Sequence, residues 1–204
     1  MNDQKDRSVR IGCILMASGL SRRYGRDKLL EMLGGREVIL HTAMSLRGAG
    51  LFPVAVTRSP RAASVLEAAG FTVVLHDGEK KSDTIHEGLK ALGSGWQGYL
   101  FMPGDQPLVR SETLVRMTEA FAACPDRPLR LGFGEAAGSP VIFPAALRDD
   151  LMAYRGDHGG MEVLKQKNNS CALVQAGAPW ELWDVDTPEK MEKVRGKMLE
   201  LQLV

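Results

Sequence analysis

Apolar residues along the chain switch between short unbroken runs and runs spaced three or four residues apart. The unbroken run Ile11–Ala17 predicts a buried parallel strand. Residues 37–47 place Val38, Leu40, Ala43, Met44 and Leu46 at helical spacing and predict a helix ending at Gly48. A short strand is expected over 53–57. A helix is expected over 60–69, with Pro60 at its start and Gly70 just past its end. Residues 71–76 read as a strand and 82–92 as a helix that Ser82 would cap. A strand over 99–102 and a helix over 111–122 follow. This alternation predicts a mainly parallel sheet covered on both faces, an α/β three-layer sandwich. After Cys124 the rhythm loosens. Strands are expected over 128–133 and 140–143, with residues 134–138 between them. Helices are expected over 145–153 and 160–166, and short strands over 172–175 and 181–185. A terminal helix over 188–203 carries the apolar stripe Met191, Val194, Met198 and Leu201.

At 204 residues the chain is long enough for one sizeable core, and neither a repeat nor a linker divides it. One domain is therefore expected. Within it, residues 10–125 or so carry the regular alternation and residues 126–204 the looser half. The net charge of +1 provides no basic field for a nucleic-acid partner. Cysteines 13, 124 and 171 are isolated and odd in number, which fits neither a disulfide framework nor a zinc site. No apolar run reaches membrane length and residues 1–10 are polar, so a cytoplasmic protein with no membrane partner is expected.

Candidate chemistry begins where the first strand ends. Ser18-Gly19-Leu20-Ser21 breaks the strand, and Arg22, Arg23, Gly25 and Lys28 follow. A small-residue loop after a buried strand can turn backbone N–H groups toward an anion. Arg23 and Lys28 add fixed positive charge, Arg as a fork and Lys as a point charge. A surface loop with solvated cations would also explain the residues. A Walker A loop is excluded because five residues separate Gly19 from Gly25 and Lys28 comes late. The dinucleotide fingerprint fails at Leu20-Ser21. What residues 16–28 do resemble is the nucleotidyltransferase signature L-A-A-G-x-S-x-R-M-G-x-x-K. Met16, Ser18 and Tyr24 depart from it, and Ala17, Gly19, Arg23, Gly25 and Lys28 keep it.

Three acidic or hydroxyl-bearing stretches extend the pattern. The strand over 99–102 runs into Pro103-Gly104-Asp105-Gln106-Pro107, which sets a carboxylate at the carboxyl end of a parallel strand, where α/β sheets bind ligands. An Asp in such a turn is also a common turn former. Asp184 and Asp186 in Trp183-Asp184-Val185-Asp186-Thr187-Pro188 share a face if the segment is extended, and helix capping would explain them equally. Ser82 and Thr84 stand at a helix start, where hydroxyls and free N–H groups are available to a ligand, and an ordinary N-cap would explain Ser82 equally. His86 reads as a solvated helix residue and Lys190 as peripheral. Gly104–Val109 is similar to G-D-Q-P-L-V, 184–191 to D-I-D-T-P-E-D-L, and 82–89 to S-x-S-[IL]-x-x-G-L. Gly138-Ser139-Pro140 and Gly156-Asp157-His158-Gly159-Gly160-Met161 are similar to G-H-P and G-D-x-G-A-R, with Ser139 and Met161 as departures on the acceptor side.

Together these stretches resemble the MobA-like nucleotidyltransferases, the group containing the molybdenum-cofactor cytidylyltransferase and guanylyltransferase. The resemblance implies a GT-A-like, Rossmann-like fold and transfer of a nucleotide monophosphate from an NTP to a small phosphorylated acceptor such as molybdopterin. It implies that Asp105 and Asp186 hold Mg²⁺ or Mn²⁺, with Asp184 behind them or as an alternate ligand, and that Arg23 and Lys28 serve the triphosphate. It places Ala17, Ser18, Gly19, Ser82, Thr84 and Gly104 around the nucleotide. It also implies a downstream molybdoenzyme or chaperone as partner. Within that group the position of Ser18 is Gly in guanylyltransferases and Ala in cytidylyltransferases, so Ser18 favours CTP. A sugar-phosphate or isoprenoid-precursor nucleotidyltransferase, or a non-catalytic nucleotide-binding module, is the alternative.

Overall fold

The computed structural model describes residues 9–19, 24, 27–167 and 170–202. Its organising strand is β1 (Ile11–Ala17), whose apolar residues alternate between two cores. Cys13, Leu15 and Ala17 enter one, and Ile14 enters the other. Only a strand covered on both faces is apolar at successive positions. β1 pairs in parallel with β4 (Val54–Thr57) on one side and β6 (Gly98–Pro103) on the other. β5 (Thr72–Leu75) continues the parallel order beyond β4. Beyond β6 lies β8 (Ala136–Pro144), antiparallel to both β6 and β7 (Leu129–Phe133). β9 (Ala172–Gln175) closes the edge in parallel with β7. The order β5-β4-β1-β6-β8-β7-β9 is thus a mixed, mainly parallel sheet, and the architecture is the expected Rossmann-like, GT-A-like α/β sandwich.

Helices α1 (Val38–Gly48), α2 (Pro60–Ala68), α4 (Ser111–Ala123) and α7 (Pro188–Glu200) cover one face. Ile39, Leu46, Leu66, Met117, Phe121, Met191 and Met198 pack there. Helices α3 (Lys81–Leu92), α5 (Arg148–Ala153) and α6 (Met161–Gln166) cover the other, through Ile85, Leu89, Leu151 and Leu164. Among the described residues no helix is long and apolar enough to cross a membrane. Burial pushes the Cys13 thiol up, Cys124 is exposed, and no disulfide joins the three cysteines.

One small element leaves no sequence signal, and three local expectations need correction. A small hairpin of β2 (Met32–Leu33) and β3 (Arg36–Glu37) precedes α1; two-residue strands leave no periodicity to read. Only Gly134 and Glu135 turn between β7 and β8, because β8 starts at Ala136. No strand runs over 181–185. Pro179–Leu182 is a 3-10 turn, and Val185 gives its N–H to the Asp105 carbonyl rather than to a sheet edge. Ser82 does not cap α3. Lys80 is the capping residue, and its N–H is received by the Asp83 carboxylate at 2.9 Å.

Candidate active site

The site is built where β1 and β6 end side by side. Gly104 N–H donates to the Met16 carbonyl at 2.9 Å, and Thr42 Oγ1 donates to the Gly104 carbonyl at 3.1 Å. A Cβ on Gly104 would come within 2.5 Å of Ile39 Cδ1 and 3.2 Å of the Met16 carbonyl oxygen. Glycine here lets the turn lie against β1, which fixes where Asp105 leaves the sheet. The segment after the 3-10 turn Pro179–Leu182 then crosses over that turn. Val185 N–H donates to the Asp105 carbonyl at 3.1 Å, and Gln106 Nε2 donates to the Leu182 carbonyl at 3.3 Å. Glu181, wholly buried, receives the Gly177 N–H at 2.8 Å on one oxygen and the Arg110 N–H at 3.1 Å on the other. These bonds bring Asp186 beside Asp105.

Lys28 stands between the two carboxylates. It opens the 3-10 turn Lys28–Leu30, whose cap is Asp27; the Asp27 carboxylate receives the Leu29 N–H at 3.3 Å. Lys28 Nζ lies 2.5 Å from Asp105 Oδ2 and 2.5 Å from Asp186 Oδ1. The Lys28 side chain is 8% exposed, those of Asp105 and Asp186 19% and 38%. Burial alone would lower the Lys28 pKa. The charge of Asp105 and hydrogen bonds to both carboxylates outweigh it and hold the ammonium above the usual lysine range. Burial likewise pushes Asp186 up, and the hydrogen bond and charge of Lys28, with the charge of Lys190, pull it below the usual carboxylate range. Lys190 is not peripheral: its Nζ lies 2.5 Å from Asp184 Oδ1 and 3.9 Å from Asp186 Oδ2. Asp184 also receives the Asp186 N–H at 3.2 Å, so it steadies Asp186 from behind.

A cleft of about 500 Å³ opens from this ion cluster, a size that suits a small ligand. Ser18, Gly19, Lys28, Thr84 and Asp105 line it. Ser18 Oγ donates to the Val56 carbonyl at 3.1 Å and lies 2.7 Å from His76 Nε2. His76 Nε2 is also 3.4 Å from Thr84 Oγ1, and burial and the Arg58 charge lower the His76 pKa. Phe101, Ser139, Val141, Phe143 and Asp157 through Met161 line the cleft as well.

Three of the remaining site residues named from the sequence, Ala17, Ser82 and Gly104, do not line the cleft. The Ala17 side chain faces the core, and its carbonyl receives the Thr57 hydroxyl at 3.0 Å. Ser82 is buried and joined to Gly156 twice, accepting the Gly156 N–H at 3.2 Å and donating its own N–H to the Gly156 carbonyl at 3.0 Å. Gly104 supports the turn, as above. Arg23 lies outside the described residues. His86 is not solvated: it is buried, with Nε2 3.1 Å from Arg155 Nη1, and burial and that charge lower its pKa. Sequence reasoning missed His76 and Glu181. Neither sits in a recognisable local pattern; each acquires its partners only through the fold.

The donor set suits a hard divalent cation. Two carboxylate oxygens converge on one point already occupied by a positive charge. No cluster of three or more His, Cys, Asp or Glu residues with metal-site geometry occurs among the described residues. Mg²⁺ is commonly held by one or two carboxylates, with substrate phosphates and waters completing its shell.

Known proteins share both sequence and shape with this chain. It is 28% identical over 199 residues to the purine catabolism protein PucB of Bacillus subtilis, covering 91% of this chain and 96% of that one. It is 26% identical over 125 residues to 2-C-methyl-D-erythritol 4-phosphate cytidylyltransferase of Dehalococcoides mccartyi, covering 56% of this chain and 54% of that one. A nucleotidyl transferase structure from Methanothermobacter thermautotrophicus superposes with a TM-score of 0.79 at 25% identity, covering 94% and 99% of the two chains. Rv0371c of Mycobacterium tuberculosis, solved in complex with manganese, shares the fold with a TM-score of 0.76 at 23% identity over 92% and 99%. The model of the MobA-like NTP transferase domain matches residues 13–171, and the chain belongs to that family.

Proposed function

We propose that this chain transfers a nucleoside monophosphate from an NTP to a small phosphorylated acceptor and releases pyrophosphate. One observation carries the reading: Lys28, Asp105 and Asp186 converge at the carboxyl ends of β1 and β6, at the head of a cleft. In the reaction an acceptor phosphate oxygen attacks the α-phosphorus in line, and the bond from that phosphorus to the bridging oxygen of the leaving pyrophosphate breaks. Such transfer depends on alignment and charge stabilisation more than on a protein nucleophile. A divalent ion on Asp105 and Asp186, Mg²⁺ or Mn²⁺, would neutralise charge on the phosphate oxygens. Lys28 supplies a fixed positive charge for the triphosphate, and Arg23 is proposed to add a second. Ser18, Gly19 and Thr84 form the nucleotide wall, and Ser139 with residues 157–161 forms the acceptor wall.

Two finer readings follow. The Cβ of Ser18 narrows the space beside the β1 backbone and favours CTP over GTP. For the acceptor, the sequence match to a methylerythritol phosphate cytidylyltransferase supports a sugar-phosphate or isoprenoid-precursor type. Molybdopterin, with a molybdoenzyme or chaperone downstream, is supported by the family resemblance alone. The test is pyrophosphate release with Mg²⁺, CTP or GTP, and each acceptor in turn. Faster release with CTP than GTP and with one acceptor class is expected. Binding of neither nucleotide would overturn the reading.

A further inference from the structure

The short contacts of Lys28 limit what can share its place. Its ammonium touches one oxygen of each carboxylate at the same distance, 2.5 Å, and its side chain is almost wholly buried. A divalent ion bound by the same oxygens, at the roughly 2.0–2.1 Å typical of Mg²⁺, needs nearly the same point. Two cations there would repel each other strongly. The reverse is also unfavourable: if Lys28 withdrew with nothing replacing it, two converging carboxylates would face each other, and among the described residues Lys190, 3.9 Å from Asp186 Oδ2 and bonded to Asp184, is the cation left beside them. Lys28 and the metal are therefore alternatives for the same two oxygens. The four-carbon lysine stem can swing from the 3-10 turn that carries it without moving the sheet.

We infer that Lys28 and the divalent cation compete for Asp105 and Asp186, and that entry of the cation hands Lys28 over to the triphosphate. This deepens the nucleotidyltransferase reading and rests on it for the second half only. Lys28 is then the switch that couples metal entry to phosphate binding. A triphosphate beside the site draws the ammonium off the carboxylates as the metal takes its place.

Mn²⁺ binding without nucleotide, followed by calorimetry and electron paramagnetic resonance, tests the competition. Lys28→Met keeps the stem and removes the charge, and is expected to bind Mn²⁺ at least tenfold more tightly than the unsubstituted protein. Equal or weaker Mn²⁺ binding would overturn the inference. Because that variant leaves two carboxylates unpaired and can fail to fold, the unsubstituted protein is tested as well. Acylation of Lys28, read by mass spectrometry, should be slow without metal, rise severalfold with Mn²⁺ alone, and fall again when tripolyphosphate is added with Mn²⁺ in excess. Labelling that Mn²⁺ leaves unchanged sinks the competition; labelling that tripolyphosphate leaves high sinks the hand-over. Binding of CTP and GTP with Mn²⁺ is measured in parallel. If both nucleotides fail to bind while Lys28→Met still tightens Mn²⁺, the functional reading falls and the competition stands.

Discussion

Val185 gives its backbone N–H to the carbonyl of Asp105 at 3.1 Å, and this bond sets the two candidate metal carboxylates side by side. Asp186 follows Val185 directly, so its position is tied to Asp105 by main chain rather than by side-chain packing alone. Glu181 anchors the same crossing from below, with a different backbone N–H on each of its oxygens. Glu181→Gln offers one acceptor and turns an amide NH₂ toward the other N–H. We expect it to lower stability by roughly 1–3 kcal/mol, the usual penalty for a buried polar group left unpaired. It should also weaken Mn²⁺ binding, because the Asp186 segment is no longer pinned over Asp105. Urea unfolding and metal titration check the two effects. Unchanged metal affinity in a measurably destabilised variant would confine Glu181 to a structural role.

The sequence places Asp105 in a Pro-Gly turn, a setting in which a side chain is often exposed and its substitution harmless to folding. The structure half-buries it against Lys28. Asp105→Asn should therefore lower turnover by about two orders of magnitude or more, as for loss of one strong electrostatic stabiliser, and also lower stability by roughly 1–3 kcal/mol for a charged hydrogen bond lost. The pairing is separable in a double-mutant cycle with Lys28→Met. The stability losses should be clearly less than additive. Additive losses would mean that the two side chains do not share an interaction.

Gly104 tests the backbone route to the same carboxylate. Its missing Cβ is the space taken by Ile39 Cδ1 and the Met16 carbonyl. Ile39 can shift, but the β1 backbone cannot without moving the strand. Gly104→Ala is expected to destabilise by about 1–3 kcal/mol, the range for overpacking. It should reduce turnover more than it reduces nucleotide affinity, because it displaces Asp105 from β1 while the cleft wall stays. Kinetics and calorimetry on the same preparation decide it; a variant with normal turnover would show that the turn tolerates the shift.

The sheet was legible because β1, β4 and β6 are unbroken apolar runs bounded by Gly, Pro and polar residues, and those signals are local. Lys28, Asp105 and Asp186 were legible as individuals, one after a glycine-rich turn and two beside strand or helix ends. Their meeting was not. Lys28 is separated from Asp105 by 77 positions and from Asp186 by 158. Only the fold shows that the lysine expected on the triphosphate reaches both carboxylates. Residues 181–185 looked like a short strand because Leu182, Trp183 and Val185 are apolar, but Pro179 and the buried Glu181 commit the segment to a turn. His76 escaped notice for a related reason: it follows β5 in sequence, and its partners Ser18 and Thr84 come from the neighbourhood of β1 and from α3.

The histidines give a pH dependence whose sign is fixed by their surroundings. Burial lowers the pKa of His41, His76 and His86, with the Arg36, Arg58 and Arg155 charges acting in the same direction. In the folded chain all three stay neutral at a pH where the unfolded chain, with histidines titrating near about 6.5, takes up protons. Their contribution to stability is thus full above about pH 6.5 and is lost as the pH falls through the lowered folded values. The melting temperature should decline from pH 7 toward pH 5, before the bulk of the carboxylates titrate. His86 is the best single probe, because protonation would set a second positive charge 3.1 Å from Arg155 Nη1 inside a buried contact. His86→Gln keeps a polar side chain that cannot gain charge and should flatten the decline over this window, whatever it does to stability at pH 8. A melting temperature that falls just as steeply in His86→Gln would remove this histidine from the acid response and leave His41 and His76 to account for it.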